Sequence, residues 1–138
     1  MPDFHKLPRL FIPHPLKTGT AIPLEMAQSH YIRNVMRLGE EDEIRVFDGQ
    51  NGEFVARIET PGKKETLAIP HTQIRPQPAH SKELHLIFAP IKKARMDILV
   101  EKAVELGATQ LTPVLTERTE NRKINEERME AQVIEALE

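Results

Sequence analysis

The sequence contains no cysteine, no tryptophan and a single tyrosine among its 138 residues. Without cysteine there can be no disulfide framework, no thiol nucleophile and no cysteine-ligated metal. The six histidines lie at positions 5, 14, 30, 71, 80 and 85, which is not the short spacing of metal ligands. Aromatic residues make up 4 % of the chain, so few side chains are available for stacking on nucleobases. A metal site is therefore not expected.

Long apolar runs are also missing. No stretch approaches the ~18 apolar residues that a membrane helix needs, and the first residues, MPDFHKLPRL, lack the core of a signal peptide. We therefore expect a soluble, cytoplasmic protein that binds no membrane. The formal net charge is −2, so the chain as a whole has no basic footprint of a nucleic-acid binder.

Catalytic signatures are absent as well. The sequence has no G-x-G-x-x-G, no Walker loop, no H-E-x-x-H and no G-x-S-x-G. Glu101 and Glu105 lie one helical turn apart, but a solvated role suits them better than that of a general base. The residues alone assign no catalytic side chain.

What is present is most distinct in residues 84–114. An apolar run at 84–89 predicts a strand buried on both faces. Apolar residues then recur with helical spacing from Met96 to Val104, and Gly107 stands where a helix ends. A second strand is predicted at 110–115. Strand, helix and strand over this length form a βαβ unit.

Three cations crowd the start of that helix: Lys92, Lys93 and Arg95. The macrodipole is already positive there, and only Asp97 offsets it. Free backbone N–H groups and cations together suit an anion such as a phosphate. A solvated basic turn is the alternative, and the pattern alone leaves both interpretations open.

The first half alternates short strands and turns. A hairpin turn at 48–52 and the spacing of the other turns predict a small β-barrel with one helix. That helix is predicted over 25–38, with His30, Arg33 and Arg37 on one face and Gly39 as its stop. Arg9 is predicted to project from the first strand. The strands are predicted at 7–13, 21–24, 43–48, 53–59 and 66–69. Apolar and polar residues alternate at 43–48 and 53–59, which predicts half-buried antiparallel strands there.

The segment 70–82 carries three prolines and resembles a linker. We therefore predict a β-barrel domain at 1–72, a linker at 73–82 and an α/β domain at 83–138. The last helix begins at the cap Asn125 but has no C-terminal stop, and two parallel strands need further neighbours. The chain is accordingly expected to stop inside its second domain.

The chain contains, in this order, the strings PRLFI at 8–12, HYIRNVMRLGEEDEIRVFDG at 30–49, APIKKARMDILVEKAVELGATQLTPVLTERT at 89–119 and the closing VIEALE. Together these strings resemble the bacterial 16S ribosomal-RNA uridine-N3 methyltransferases, and the resemblance covers nearly the whole chain. It implies an N-terminal PUA-like barrel followed by the first part of a SPOUT α/β methyltransferase domain, which is knotted in the full family.

The resemblance implies transfer of a methyl group from S-adenosylmethionine to uridine N3, with 16S ribosomal RNA or the small subunit as partner. It also implies a homodimer in the full-length family. The family's cofactor motifs lie near its C-terminus and are absent here, so the cofactor site is expected beyond residue 138, and the chain itself is expected to be inactive. The RNA-binding candidates are Arg9, Arg33, Arg37, Lys92, Lys93 and Arg95.

Two other classes of protein remain open. The chain could be an RNA-binding module without catalytic activity of its own, which the missing cofactor motifs favour for this polypeptide. It could also be an unrelated α/β nucleotide-binding protein, although the lack of a glycine-rich phosphate loop argues against that class.

Overall fold

The computed structural model describes residues 3–79, 82–119 and 123–138. The chain divides into two compact units, Met1–Pro78 and Ala79–Glu138. No helix in the described ranges is long and apolar enough to cross a membrane. The elements of the first unit are β1 (Arg9–Phe11), β2 (Ile22–Pro23), α1 (Met26–His30), β3 (Glu43–Phe47), β4 (Glu53–Glu59) and β5 (Leu67–Arg75); those of the second are β6 (His85–Phe88), α2 (Lys93–Glu105), β7 (Gln110–Pro113) and α3 (Glu126–Leu137).

The first unit is built on a curled, five-stranded half-barrel sheet in the order β1-β3-β4-β5-β2. β1 runs parallel to β3, and the other neighbours are antiparallel. Asp48 closes the hairpin between β3 and β4, because its carboxylate accepts the backbone N–H groups of Gln50 at 2.8 Å and Asn51 at 2.7 Å. The sequence therefore identified both the class of fold and this turn correctly.

The central strand β4 departs from the predicted half-buried alternation. Phe54, Val55 and Ala56 are all buried in succession, at 6 %, 0 % and 0 % exposure. Phe54 and Ala56 belong to the barrel core, whereas Val55 points to the opposite face and is covered there too. The apolar run Phe-Val-Ala suits a strand covered on both faces, and the alternation predicted for this half of β4 was wrong.

The helix predicted over 25–38 is shorter and changes character. α1 covers only Met26–His30, and a π-helical turn follows over Tyr31–Val35. Arg37, with φ +57°, takes the left-handed conformation that was expected at Gly39. Arg33 and Arg37 were predicted to share a helical face. The π-helical turn is wider than an α-helical one and Arg37 lies outside it, so that prediction was wrong. Ile32, fully buried in the core, anchors this turn.

Strand β5 is longer than expected and occupies the start of the predicted linker. It runs to Arg75 and pairs with β4 along its length, so 73–75 are strand residues. Pro70 fits inside it because the β4–β5 pairing shifts register between Val55 and Ala56, where β5 has one extra residue next to Pro70. Bulged positions of this kind tolerate a proline. Residues 80 and 81 of the predicted linker lie outside the described residues.

The second unit contains the predicted βαβ arrangement. β6 and β7 pair in parallel, with His85 opposite Gln110. Gly107 ends α2 with φ +96°, and the Asn125 side chain accepts the Arg128 N–H at 3.1 Å to begin α3. The core of this unit joins both strands to α2 and α3 through Phe88, Met96 and Val100, with Leu86, Leu99, Leu111, Met129 and Val133 packed around them.

The prediction that the strand at 84–89 is buried on both faces was wrong. Phe88 lies in the core, but His85 and Ile87 are exposed, Ile87 to 60 %. Successive side chains of a strand point to opposite faces, and both helices pack on the face that carries Leu86 and Phe88. In the described part of the second unit, the opposite sheet face is therefore open.

Candidate nucleic-acid interface

Arg9 is held inside the first unit. Its Nε donates to the Glu53 carboxylate at 3.1 Å, and its guanidinium lies 3.9 Å from the centre of the Phe47 ring. Glu53 is 3 % exposed and also meets Arg45 at 3.4 Å. Arg45 in turn donates to the Leu7 carbonyl at 3.0 Å. A buried carboxylate requires such partners, so the primary contact of Arg9 is structural.

Arg33 contacts backbone rather than projecting freely. Its Nη1 donates to the carbonyl oxygens of Gly62 at 3.3 Å and Lys63 at 2.8 Å. These residues lie in the turn between β4 and β5, 29 and 30 positions further along the chain. Arg37, by contrast, is exposed and, among the described residues, shows no hydrogen bond or ion pair of its side chain.

The three cations of the second unit stand together at the start of α2. Lys92 is the N-cap residue, and Lys93 and Arg95 lie in the first turn; all three are exposed. No side chain caps this helix start in the described structure, and its first turn holds no acidic residue. The start of α2 therefore carries three exposed positive charges and has no side chain that accepts from its first backbone N–H groups.

Asp97, the one acid expected to offset these cations, is engaged by α3. Its two oxygens accept from Gln132 Nε2 and, at 2.9 Å, from Arg128. Hydrogen bonds from Gln132 and then Arg128, with the charges of Arg128 and Lys93, hold the pKa of Asp97 below its ordinary value although partial desolvation opposes this. Asp97 therefore fastens α2 to α3 and only partly compensates the basic helix start.

A cleft opens between the beginnings of α2 and α3. Lys93, Lys123 and Arg128 line it together with Asp97. Three cations against one carboxylate make this cleft attractive to anions. A groove further along the same helices is acidic instead, with Glu101, Glu105 and Glu135 in its walls. No group of three or more side chains in the described ranges could hold a metal ion.

The first unit places some of its predicted residues together and separates others. Arg33 meets the turn that carries two exposed lysines, Lys63 and Lys64. Their involvement could not be seen in the sequence, because it depends on a contact across 30 residues. In the second unit Lys92, Lys93 and Arg95 are brought together as predicted by their adjacency in the chain.

Comparison with known protein families identifies both units. A model described as the RNA methyltransferase PUA domain matches residues 24–70, and one described as the RNA methyltransferase domain matches residues 78–138. The two models adjoin in the order that the resemblance predicted. The two units of the chain thus belong to the PUA and methyltransferase domain families of RNA methyltransferases.

Individual relatives narrow the family further. The chain is 33 % identical over 134 residues to ribosomal RNA small subunit methyltransferase E of Rickettsia conorii, covering 96 % of this chain and 54 % of that protein. The crystal structure of ribosomal RNA small subunit methyltransferase E from Neisseria gonorrhoeae, bound to S-adenosyl methionine, superposes with a TM-score of 0.83 at 28 % identity. That match covers 96 % of this chain and 56 % of the other.

A third similar structure comes from Porphyromonas gingivalis and is titled a probable rRNA-methyltransferase. It has a TM-score of 0.79 at 29 % identity and covers 95 % of this chain and 54 % of that one. The chain spans about half the length of the relatives it matches.

Proposed function

We propose that this chain belongs to an enzyme that methylates N3 of a uridine in 16S ribosomal RNA, using S-adenosylmethionine. The observation that carries the proposal is the likeness over 134 residues to small-subunit ribosomal RNA methyltransferase E, which includes both units. We further propose that the enzyme acts on the RNA or on the small ribosomal subunit, and that the complete protein is a homodimer.

Neither of the two pockets that α2 and α3 form suits the cofactor. S-adenosylmethionine carries a positive sulfonium and an adenine ring that requires an apolar slot. The cleft at the starts of α2 and α3 is lined by Lys93, Lys123 and Arg128, which repel a sulfonium. The acidic groove offers carboxylates but only Ala131 and Ala136 as apolar lining. We therefore propose that the 138-residue chain by itself neither binds the cofactor nor catalyses methyl transfer.

The contribution that we assign to this chain is RNA binding. The bound cofactor would supply the methyl group, and N3 of uridine must lose its proton with help from a base or a positioned charge. This chain would hold and orient the RNA through charge. Exposed cations at the start of α2 and at Arg37 support that role, because phosphate contacts position RNA and do not depend on sequence. Arg9 is the weakest candidate, since Glu53 and Phe47 already engage it.

The test compares Lys93→Ala with Lys102→Ala. Each substitution removes one exposed ammonium from opposite ends of α2. We expect Lys93→Ala to weaken binding of a 16S RNA fragment and to reduce the log–log salt slope by roughly 0.7–0.9 for one lost phosphate contact. Lys102→Ala should leave both quantities unchanged, because Lys102 pairs with Glu105 at 3.0 Å. Filter-binding titrations at several salt concentrations measure both.

Folding stability provides an independent readout of the same pair. Lys93 opposes the macrodipole at the helix start, whereas Lys102 complements it near the helix end. Lys93→Ala should therefore leave stability unchanged or raise it by a few tenths of a kcal/mol. Equal RNA affinity and slope for wild type and Lys93→Ala would contradict the proposed role of this cluster.

A further inference from the structure

The turn between β4 and β5, residues 60–66, presents two lysines to solvent. Lys63 and Lys64 are both exposed, and among the described residues neither ammonium forms an ion pair. Glu65 is the acidic residue adjacent to them in the chain and is exposed as well. The tip of this turn therefore carries an excess of positive charge.

Both ends of this turn are fixed. At its start, Thr60 donates its N–H at 2.6 Å and its hydroxyl at 2.8 Å to the Glu40 carboxylate. These hydrogen bonds, the backbone one first, lower the pKa of Glu40. At its end, the Thr66 hydroxyl bonds the buried Ser29 hydroxyl, and the Thr66 carbonyl accepts the Leu24 N–H at 2.9 Å.

Arg33 fixes the middle of the same turn. One nitrogen of its guanidinium donates to two successive carbonyl oxygens, those of Gly62 and Lys63. A turn held at both ends and in the middle loses little conformational entropy when its side chains bind a partner. The backbone beneath Lys63 is therefore ordered before any ligand arrives.

Arg33 brings a positive charge to this turn in addition to its hydrogen bonds. Carbonyl oxygens accept its hydrogen bonds but do not neutralise its charge, so a third positive charge lies close to Lys63 and Lys64. A neutral amide donor would satisfy one of these carbonyls without that repulsion. Like charges gathered on one turn lower stability unless an anion offsets them.

We propose that Lys63 and Lys64 form an RNA phosphate-binding surface, and that Arg33 is the positioning residue that holds their turn. RNA is the anion that the observations favour, because Arg33, Lys63 and Lys64 all lie within residues 24–70, the part matched by the RNA methyltransferase PUA domain. The inference rests on the proposed function and adds to it the residues that meet the phosphates. It also changes the role of Arg33, which the sequence had suggested as a direct contact.

The first experiment compares two double variants of the chain. Lys63→Ala/Lys64→Ala removes both lysines of the turn, and Lys6→Ala/Lys17→Ala removes two exposed lysines elsewhere in the first unit. We expect the turn variant to lose at least fivefold in affinity for a 16S RNA fragment. Its log–log salt slope should fall by roughly 1.4–1.8, the value for two lost phosphate contacts. The Lys6/Lys17 variant should retain the wild-type slope.

The second experiment separates positioning from charge at Arg33. Arg33→Lys keeps the positive charge, but its ammonium lies one bond short of the Nη1 position and its stem is more flexible, so we expect it to lose the contact with the two carbonyl oxygens. We expect Arg33→Lys to weaken RNA binding as much as Arg33→Ala does, and to speed amide hydrogen exchange in the turn. On the Lys63→Ala/Lys64→Ala background, Arg33→Ala should cause no further loss of affinity. Circular dichroism of every variant verifies that the sheet is intact.

Two results would contradict the proposed RNA-binding surface, and they differ in what they imply for the proposed function. If wild-type chain binds the RNA and Lys63→Ala/Lys64→Ala binds with the same affinity and slope, the turn does not contact RNA, while the proposed function stands. If wild-type chain shows no salt-dependent RNA binding, the proposed function and this surface fail together. Full binding by Arg33→Lys would show that Arg33 acts through its charge and not by positioning.

Discussion

At the residue scale, the contacts of a cation decide what it is available to do. Arg9 and Arg37 look alike in the sequence, yet Arg9 sits between Glu53 and the Phe47 ring, whereas Arg37 is exposed. The sequence could predict Lys92, Lys93 and Arg95 as a cluster because they are adjacent in the chain. It could not predict the link from Arg33 to Lys63, since tertiary structure alone brings those residues together.

Asp97 gives a prediction of pH dependence at the same scale. Its pKa is lowered in the folded chain from the ordinary 3.8, by Gln132 first and then Arg128. A lowered pKa means stabilisation that is complete above the ordinary pKa and is lost as pH falls through the folded value. Asp97→Asn should therefore melt below wild type at pH 7, and the gap should close as the pH drops below about 4.

Thermal unfolding followed by circular dichroism between pH 2 and pH 7 measures this gap. Glu130→Gln is the matched control, because it removes an exposed carboxylate of α3 outside the Asp97 contact. We expect Glu130→Gln to follow the wild-type profile. A gap between wild type and Asp97→Asn that stayed constant with pH would mean that the carboxylate charge does not fasten α2 to α3.

At the scale of elements, regular patterns were predictable and irregular ones were not. The apolar period of α2 and the glycine after it identified both the helix and its end. The length of α1 was predicted wrongly because the π-helical turn depends on how Ile32 packs into the core, and local helix propensity does not encode that packing. The extent of β5 was predicted wrongly because the prolines suggested a linker, whereas a register shift in the β4–β5 pairing accommodates Pro70. Local sequence therefore determined the elements only where tertiary contacts agreed with it.

The turn between β3 and β4 offers a matched pair of glycines. Gly49 and Gly52 both have positive φ, +78° and +99°. A Cβ at Gly49 would meet nothing within 4 Å, but one at Gly52 would lie 2.3 Å from the Arg75 carbonyl oxygen. Gly49→Ala should cost about 1 kcal/mol from backbone strain alone.

Gly52→Ala should cost at least about 3 kcal/mol, since backbone of β5 must also move. Urea unfolding of the two variants measures the difference. Equal losses of stability would mean that β5 yields easily at Arg75, and that the end of this strand is less firmly paired than its hydrogen bonds indicate.

At the scale of the whole molecule, the chain consists of two units with separate hydrophobic cores, one in the half-barrel and one around α2 and α3. A length of 138 residues is compatible with one domain or two. Prolines and the change from alternating to helical periodicity predicted two, although the predicted boundary at residue 72 falls within β5. The extent of a strand depends on its partner, so sequence could place that boundary only approximately.

Trypsin should detect the connection between the units. Lys82 lies between the last strand of the first unit and β6, whereas the Arg75–Pro76 bond is protected by the proline. We expect the first cut after Lys82, leaving fragments 1–82 and 83–138, because few contacts cross a linker. Mass spectrometry of early digestion products identifies the site. A first cut after Arg45 or Arg57 would instead show that the central strands open before the linker does.

The order of strands in the half-barrel also determines when each edge strand can pair during translation. Both edge strands come from the N-terminal segment: β1 pairs residue 9 with residue 45, and β2 pairs residue 22 with residue 68. At a synthesis rate of roughly 5–20 residues per second, each edge strand is made on the order of seconds before its pairing partner. During that interval Leu10 and Ile12, 3 % and 2 % exposed in the finished unit, have no core to enter. Until β5 emerges, these side chains therefore remain apolar surface of the kind that aggregates or that chaperones bind.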